Sequence, residues 1–364
     1  MMVRQGDRRA FFDVPFNAYR PEDGYVSPLR SDIYRMLDGS KNPLFLHGNP
    51  FAFWTAHRDG QAIGRIIALV HRESNERHGT NRAQFGFFDC ADDAEAASAL
   101  LDAAEQFARK HHCEELAGNF NLTAMQQAGV MTGGFGAQAF TDMVVNPAHI
   151  PQLLTKNGFE AYFPMTTFEL DLAKARLPVV NFDDLQRRGF IFAPIEKAAF
   201  KQRFEEARIV LNDGFDRNPM FVPLTPAEFD FQAGEMTSIL DPRLSSILMH
   251  DGKPVGTVIC IPDLNGFLSA TRSRVSLFTP FHFLSYRLRR RRAVIIFYSV
   301  ATDHHGRGLM GAMLTRTINA LREARYEKLG ITWIADENAA SLRQMEKIGA
   351  KPLQKLHLFR KALK

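Results

Sequence analysis

Cysteine is scarce: three residues in 364, Cys90, Cys113 and Cys260, with neither a CxxC pair nor Cys/His ligand spacing around any of them. That scarcity excludes a disulfide framework and a structural zinc site, and it points to a reducing compartment. Long apolar runs are missing as well. None approaches the roughly 20 residues that span a bilayer, and the opening "MMVRQGDRRAFFDVPF" has no apolar core of a secretion signal. The expected location is the cytoplasm, with peripheral contact at the inner membrane surface left open. Acidic residues are absent from one stretch in particular, Phe267 to Arg292, which holds arginines 272, 274, 287, 289, 290, 291 and 292. The net charge is +5, so the rest of the chain sums to about −2 and the basic character is a single patch.

What is present suits a globular protein. An apolar content of 45% with 23% charge supports a sizeable core, and the length suggests two or three domains. The first half contains "FAFWTAHRDGQAIGRIIALV", two strand-like runs joined by Asp59-Gly60, and the second contains "SILMHDGKPVGTVICI", with Asp251-Gly252 in the same place. Gly64 then matches Gly256, and "LLTKNGFEAYF" around Gly158 matches "RQMEKIGAKPL" around Gly349. Amphipathic spacing predicts one helix over 94–110 (Leu100, Leu101, Ala104, Phe107, Ala108) and another over 309–324 (Met310, Leu314, Ile318, Leu321). A tandem duplication accounts for both sets, each copy with its own insertion at 117–143 or 266–292. The boundary falls near 175–195, giving expected domains 1–178 and 179–364. The second opens with a helix over 200–211 and another from about Ala227 to Leu240, for which Thr225 and Glu228 form a capping box.

The stretch "VATDHHGRGLMGAML" follows the long strand "AVIIFYSVAT" and becomes a helical pattern. Glycines at such a turn let a pyrophosphate approach the backbone, and the helix start offers unpaired N–H groups; simple helix capping is the other reading. The element order from residue 200 onward, with "HHGRGLMG", the strand "LGITWIADEN" and the helix "AASLRQMEKIG", resembles the GNAT acyltransferase superfamily. His305 and Met310 depart from that family's turn signature, and Gly311 comes one place late. The resemblance implies an α/β fold of the α+β mixed-sheet kind, two tandem GNAT-like domains with the first degenerate, and acyl-CoA as substrate. It assigns the coenzyme contacts to Val300, Ala301, Thr302, His305, Gly306, Arg307, Gly308, Leu309, Met310, Gly311 and Asn338. The acceptor amine must lose a proton before it attacks, and Glu337, then Asp336, is the candidate base at the strand end; helix-dipole service is the competing role for both. Met345 stands where the family often keeps a tyrosine, which leaves Tyr298 as a candidate general acid. Asn338 also reads as an N-cap.

The first half, with "ADDAEAASAL" before its helix, repels rather than binds a pyrophosphate, and its glycine-rich insertion either lines the acceptor pocket or is a surface loop. In the second insertion "VSLFTPFHFLSY" precedes "RLRRRR", which fits an anionic membrane surface, with packing into the core as the alternative; no nucleic-acid fold signature accompanies it. The expected activity is N-acyl transfer from a CoA thioester to a primary amine, without a metal. The favoured acceptor is a lipid amine, since the whole chain is similar to two-domain bacterial proteins that include the ceramide synthases. Acetyl transfer to a small-molecule or peptide amine, or a non-catalytic acyl-CoA-binding module, are the rival readings.

Overall fold

The structure is a computed structural model that describes residues 1–46, 48–233 and 239–363. In chain order its strands are β1 (Met2–Gln5), β2 (Phe51–Arg58), β3 (Gln61–Leu69), β4 (Arg82–Cys90), β5 (Glu115–Gly118), β6 (Val130–Gly133) and β7 (Glu160–Asp171). They continue with β8 (Phe190–Pro194), β9 (Ser246–His250), β10 (Lys253–Pro262), β11 (Arg292–Val300), β12 (Lys328–Ala335) and β13 (Lys351–Ala362). The compact units are not contiguous in sequence. Met1–Thr166, Asn265–Leu284 and Leu353–Lys364 make the first, and Thr167–Leu264 and Ser285–Pro352 the second.

The first unit orders its strands β1-β2-β3-β4-β5-β13, with β6 also on β13. All its registered neighbours run antiparallel except β4 and β5. The second orders them β12-β11-β10-β9-β8, and again one pair, β11 with β12, is parallel. The predicted hairpins are both present. Asp59 and Gly60 have φ of 50° and 80°, and Asp251 and Gly252 have 50° and 75°, the left-handed pair that a two-residue turn between right-twisted strands requires.

The expected helices form as Ala94–Lys110 and Leu309–Glu323. Leu100, Leu101, Ala104, Phe107 and Ala108 line the buried face of the first, and Leu314, Ile318 and Leu321 that of the second, with Met310 only half-buried. Gly64 and Gly256 explain how closely each helix approaches its sheet. A Cβ on Gly64 would lie 2.7 Å from Leu100 Cδ1, and one on Gly256 2.7 Å from Met313 Sδ. In both copies the strand bulges just before this glycine, and the bulge carbonyl takes the N–H that follows the long strand. Ala91 donates to Ile63 and Ala301 donates to Val255, each at 2.8 Å.

The capping box at Thr225 is made as expected. The Glu228 N–H donates to Thr225 Oγ1 at 3.2 Å, and the Thr225 N–H donates to Glu228 Oε2 at 2.9 Å. That helix runs Pro226–Ala233, and residues 234–238 of its expected continuation lie outside the described residues. The three cysteines are free and buried, and burial pushes the Cys90 thiol up to about 12, so none is a ready nucleophile.

Candidate functional site

The second unit contains a place where its sheet comes apart. The parallel pairing of β11 and β12 runs from Arg292↔Lys328 to Ile295↔Ile331 and stops there, although both strands continue. A register shift between Ile259 and Cys260 marks a bulge at Ile296, which re-aims β11 at that point. Beyond it, among the described residues, the β12-facing backbone of Phe297 to Val300 has no strand partner. Thr332 Oγ1 donates across the start of the opening to the Ile296 carbonyl, at 2.8 Å. An open edge of this kind accepts an extended chain as an added strand.

The glycine turn stands at the end of that opening. Gly306 and Gly308 have φ of 76° and 75°, and a Cβ on either would meet nothing within 4 Å, so the left-handed backbone rather than crowding calls for glycine. Gly308 is the N-cap of the Leu309–Glu323 helix and, lacking a side chain, makes no cap bond to its first turn. Arg307 is exposed beside it and His305 Nε2–H donates to the Val300 carbonyl at 2.9 Å. Uncapped N–H groups, a dipole end and a neighbouring guanidinium suit a pyrophosphate. Leu309 and Met310 belong to the core below the turn, and Gly311 faces Pro178, whose Cγ would sit 3.7 Å from an added Cβ.

Two N–H groups expected to face the coenzyme are otherwise engaged. Ala301 donates to Val255 as noted, and Thr302 donates to Asp213 Oδ2 at 2.6 Å. Asp213 ends the Phe200–Gly214 helix, and sequence spacing gave no hint of it because the contact closes over 89 positions. The adjoining Gly214 is required by contact: a Cβ there would fall 1.8 Å from Ser299 Oγ.

Glu337 is exposed at the end of β12 and Asp336 half-buried beside it. Asn338 caps the Ala339–Ile348 helix, its side chain accepting from the Ser341 N–H at 3.1 Å. Met345 is fully buried in the core, so no titratable group stands at that position. Tyr298 is half-buried on β11, and its burial pushes the phenol up to about 12, with Ser341 acting weakly against that shift. His304, at the turn, is partly buried. Its ring lies 5.4 Å from that of His250, and burial, then Arg307 and His250, lower its pKa, so it is neutral near pH 7.

The first unit repeats this geometry and closes it. Pairing of β4 with β5 ends at Phe85↔Gly118, after which Asn119, Phe120 and Asn121 fold back on β4. Phe120 donates to the Phe85 carbonyl at 2.8 Å, Phe88 to Asn119 Oδ1 at 3.1 Å and Phe87 to Asn121 Oδ1 at 2.7 Å. Gly86 admits this segment, since a Cβ would lie 1.6 Å from the Phe120 carbonyl oxygen. The helix start is filled too: Asp93 accepts from Ala96 at 3.0 Å and pairs with Arg58 at 2.7 Å. Next to the closed splay is a polar pocket, partly open to solvent, which the 117–143 insertion helps to line through Asn119, Asn121 and Gln127. At its floor Arg65, 1% exposed, donates to Asp89, to the Phe11 carbonyl and to Tyr25.

Comparison with known proteins places this geometry. The acetyltransferase (GNAT) family pattern matches residues 215–350. The chain is 26% identical to Protein YghO of Escherichia coli, covering 99% of this chain and 94% of that one. It is 22% identical to the bacterial ceramide synthase of Caulobacter vibrioides, covering 98% and 94%. Among solved structures, a tandem GNAT protein from the clavulanic acid biosynthesis pathway superposes with a TM-score of 0.60 at 14% identity, covering 100% of this chain and 99% of that one. The glycine turn and the open splay lie inside the segment that matches the GNAT pattern, a second, closed copy precedes it, and the whole chain has the fold of a tandem GNAT protein.

Proposed function

We propose that the second unit transfers an acyl group from a CoA thioester to the primary amine of a lipid, a long-chain sphingoid base being the favoured acceptor, and that the first copy does not catalyse. The observation that carries the reading is the β11/β12 splay leading into an uncapped, glycine-opened helix start, a pair of features that the first copy fills with its own residues. The pantetheine arm pairs with the free edge of Phe297 to Val300, and the pyrophosphate rests on the N–H groups after Gly308 with Arg307 beside it. The lipid acceptor is suggested by the relative named bacterial ceramide synthase, and a bilayer is where a long-chain amine resides.

In the reaction the amine nitrogen attacks the thioester carbonyl, the C–S bond breaks, and the departing thiolate takes a proton. The amine has a usual pKa of about 10 and must first give one up. Glu337, at the end of β12, takes that proton through water, with Asp336 the second candidate. Tyr298 stays protonated at neutral pH and supplies a hydrogen bond to the leaving sulfur.

Thermal-shift titration with free, acetyl- and palmitoyl-CoA tests donor binding. Stabilisation that grows with chain length supports a lipid acyl donor, a preference for acetyl-CoA moves the reading to a small-molecule or peptide amine, and no stabilisation by any of them overturns coenzyme binding. CoA release with sphinganine as acceptor tests the reaction itself. Glu337→Gln is expected to lower kcat by about 100-fold with KM little changed; an unchanged kcat removes Glu337 as base.

A further inference from the structure

One helix of the chain buries nothing. Thr279–Arg289 has no buried residue, whereas the Ala94–Lys110 helix of the same protein buries a full face. The exposure is patterned. Phe281, Leu284 and Leu288 are spaced i, i+3 and i+7, which sets them in one row along the helix, and they are 71%, 56% and 77% exposed. Val275, Leu277 and Phe278, in the turn just ahead of the helix, are likewise exposed, Leu277 at 93%. The opposite row, Thr279, Phe283 and Tyr286, is half-buried, and Phe283 meets Phe267 edge-to-face with ring centroids 5.5 Å apart. The helix therefore has an inner row that anchors it and an outer apolar row that nothing in the described structure covers.

The arginines sort by the same geometry. Arg290 pairs with Asp241 at 3.1 Å and Arg292 with Asp263 at 2.8 Å, both largely buried, so these two belong to the fold. Arg291 lies 3.6 Å from Glu327. Arg287 and Arg289 are exposed, and no acid among the described residues pairs with either. Basic groups in a last turn also favour the helix dipole, but that accounts for the arginines and not for the apolar row.

We infer that the 275–289 segment docks on a membrane, its helix lying in the interface of an anionic bilayer with Phe281, Leu284, Leu288 and the preceding Leu277 among the acyl chains and Arg287 and Arg289 at the headgroups. An uncovered apolar row next to unpaired cations has the chemistry of that surface, and a helix of this length, about 16 Å, lies along an interface and does not cross the roughly 30 Å hydrocarbon layer. Its purpose rests on the lipid-acceptor reading, since it holds the enzyme where such an amine resides; its binding does not.

The test is flotation of the full chain with phosphatidylcholine vesicles, with and without phosphatidylglycerol, in the absence of acyl-CoA or any amine acceptor, so that it reads docking alone. Acyl transfer to a water-soluble amine, run separately, reads catalysis alone. The expected result is flotation with the anionic vesicles only, lost in Phe281→Glu/Leu284→Glu with thermal melting unchanged. Arg287→Gln and Arg289→Gln each weaken it about fivefold and flatten its salt dependence. Absence of flotation overturns the inference, as does flotation that the apolar substitutions leave intact. A dimer that Phe281→Glu converts to monomer, without vesicle binding by either form, would assign the row to a second copy of the chain instead.

Discussion

Asp142 is a carboxylate whose environment works against its charge. It sits at φ 68° between the buried Phe140 and Met143, and burial, its sole cause, pushes its carboxyl up to about 7. The unfolded chain loses that proton near pH 4 and the folded one near 7, so between those values the folded state binds more protons and stability falls as pH rises. Asp142→Asn removes the titration. Its melting temperature is expected to exceed that of the parent by an increment that opens between pH 4 and 7 and stays constant above; an increment equal at every pH would mean that the carboxyl titrates normally. Gly308 makes a second residue-scale case. Its φ of 75° costs an alanine about 1 kcal/mol. Because that strain falls on the first turn of the proposed pyrophosphate site, Gly308→Ala should weaken CoA binding severalfold in a calorimetric titration while lowering stability by about the same small amount. An unaltered CoA affinity would move the pyrophosphate elsewhere.

At the scale of elements, two glycines of the first unit predict different costs. A Cβ on Gly64 meets the terminal Cδ1 of Leu100, which can rotate aside, whereas one on Gly86 collides with the Phe120 carbonyl oxygen, which is fixed backbone. Gly64→Ala should therefore cost about 1 kcal/mol and Gly86→Ala about 3 kcal/mol, read from denaturant midpoints; a reversed order would show that the 119–121 segment yields more readily than the helix. Local chemistry made much of these elements legible in advance. The Asp-Gly hairpins, the Thr225 capping box, the Asn338 cap and the two glycine-backed helices each depend on residues within a few positions. The closing of the first splay was not legible. It depends on carboxamides bonding across 31 and 34 positions, and an Asn-Phe-Asn tripeptide carries no sign of that. Nor did the arginine run reveal which members face inward, because Asp241 and Asp263 are distant in sequence and met only through the fold.

The division of the whole molecule followed least from the sequence. Internal similarity suggests two halves that meet near residue 178, yet the C-terminal strand packs with the first unit. Phe359 through Ala362 of β13 pair with Gly118 through Glu115 of β5, and His357 pairs with Val130 of β6. Leu356, Leu358 and Phe359 are each 1–2% exposed, and Lys361 bonds the buried Glu105. A fragment of residues 1–178 lacks all of this. Burial of three large apolar side chains contributes about 5–9 kcal/mol, the order of a whole domain's net stability, and the fragment would leave the edge of β5 unpaired besides. Such a fragment is expected to show no cooperative melting by circular dichroism and to protect few amides from exchange. Joining residues 351–364 to its end through a flexible linker should restore both. Cooperative melting of 1–178 near the temperature of the full chain would mean that β13 is dispensable and that the first copy folds as an independent domain.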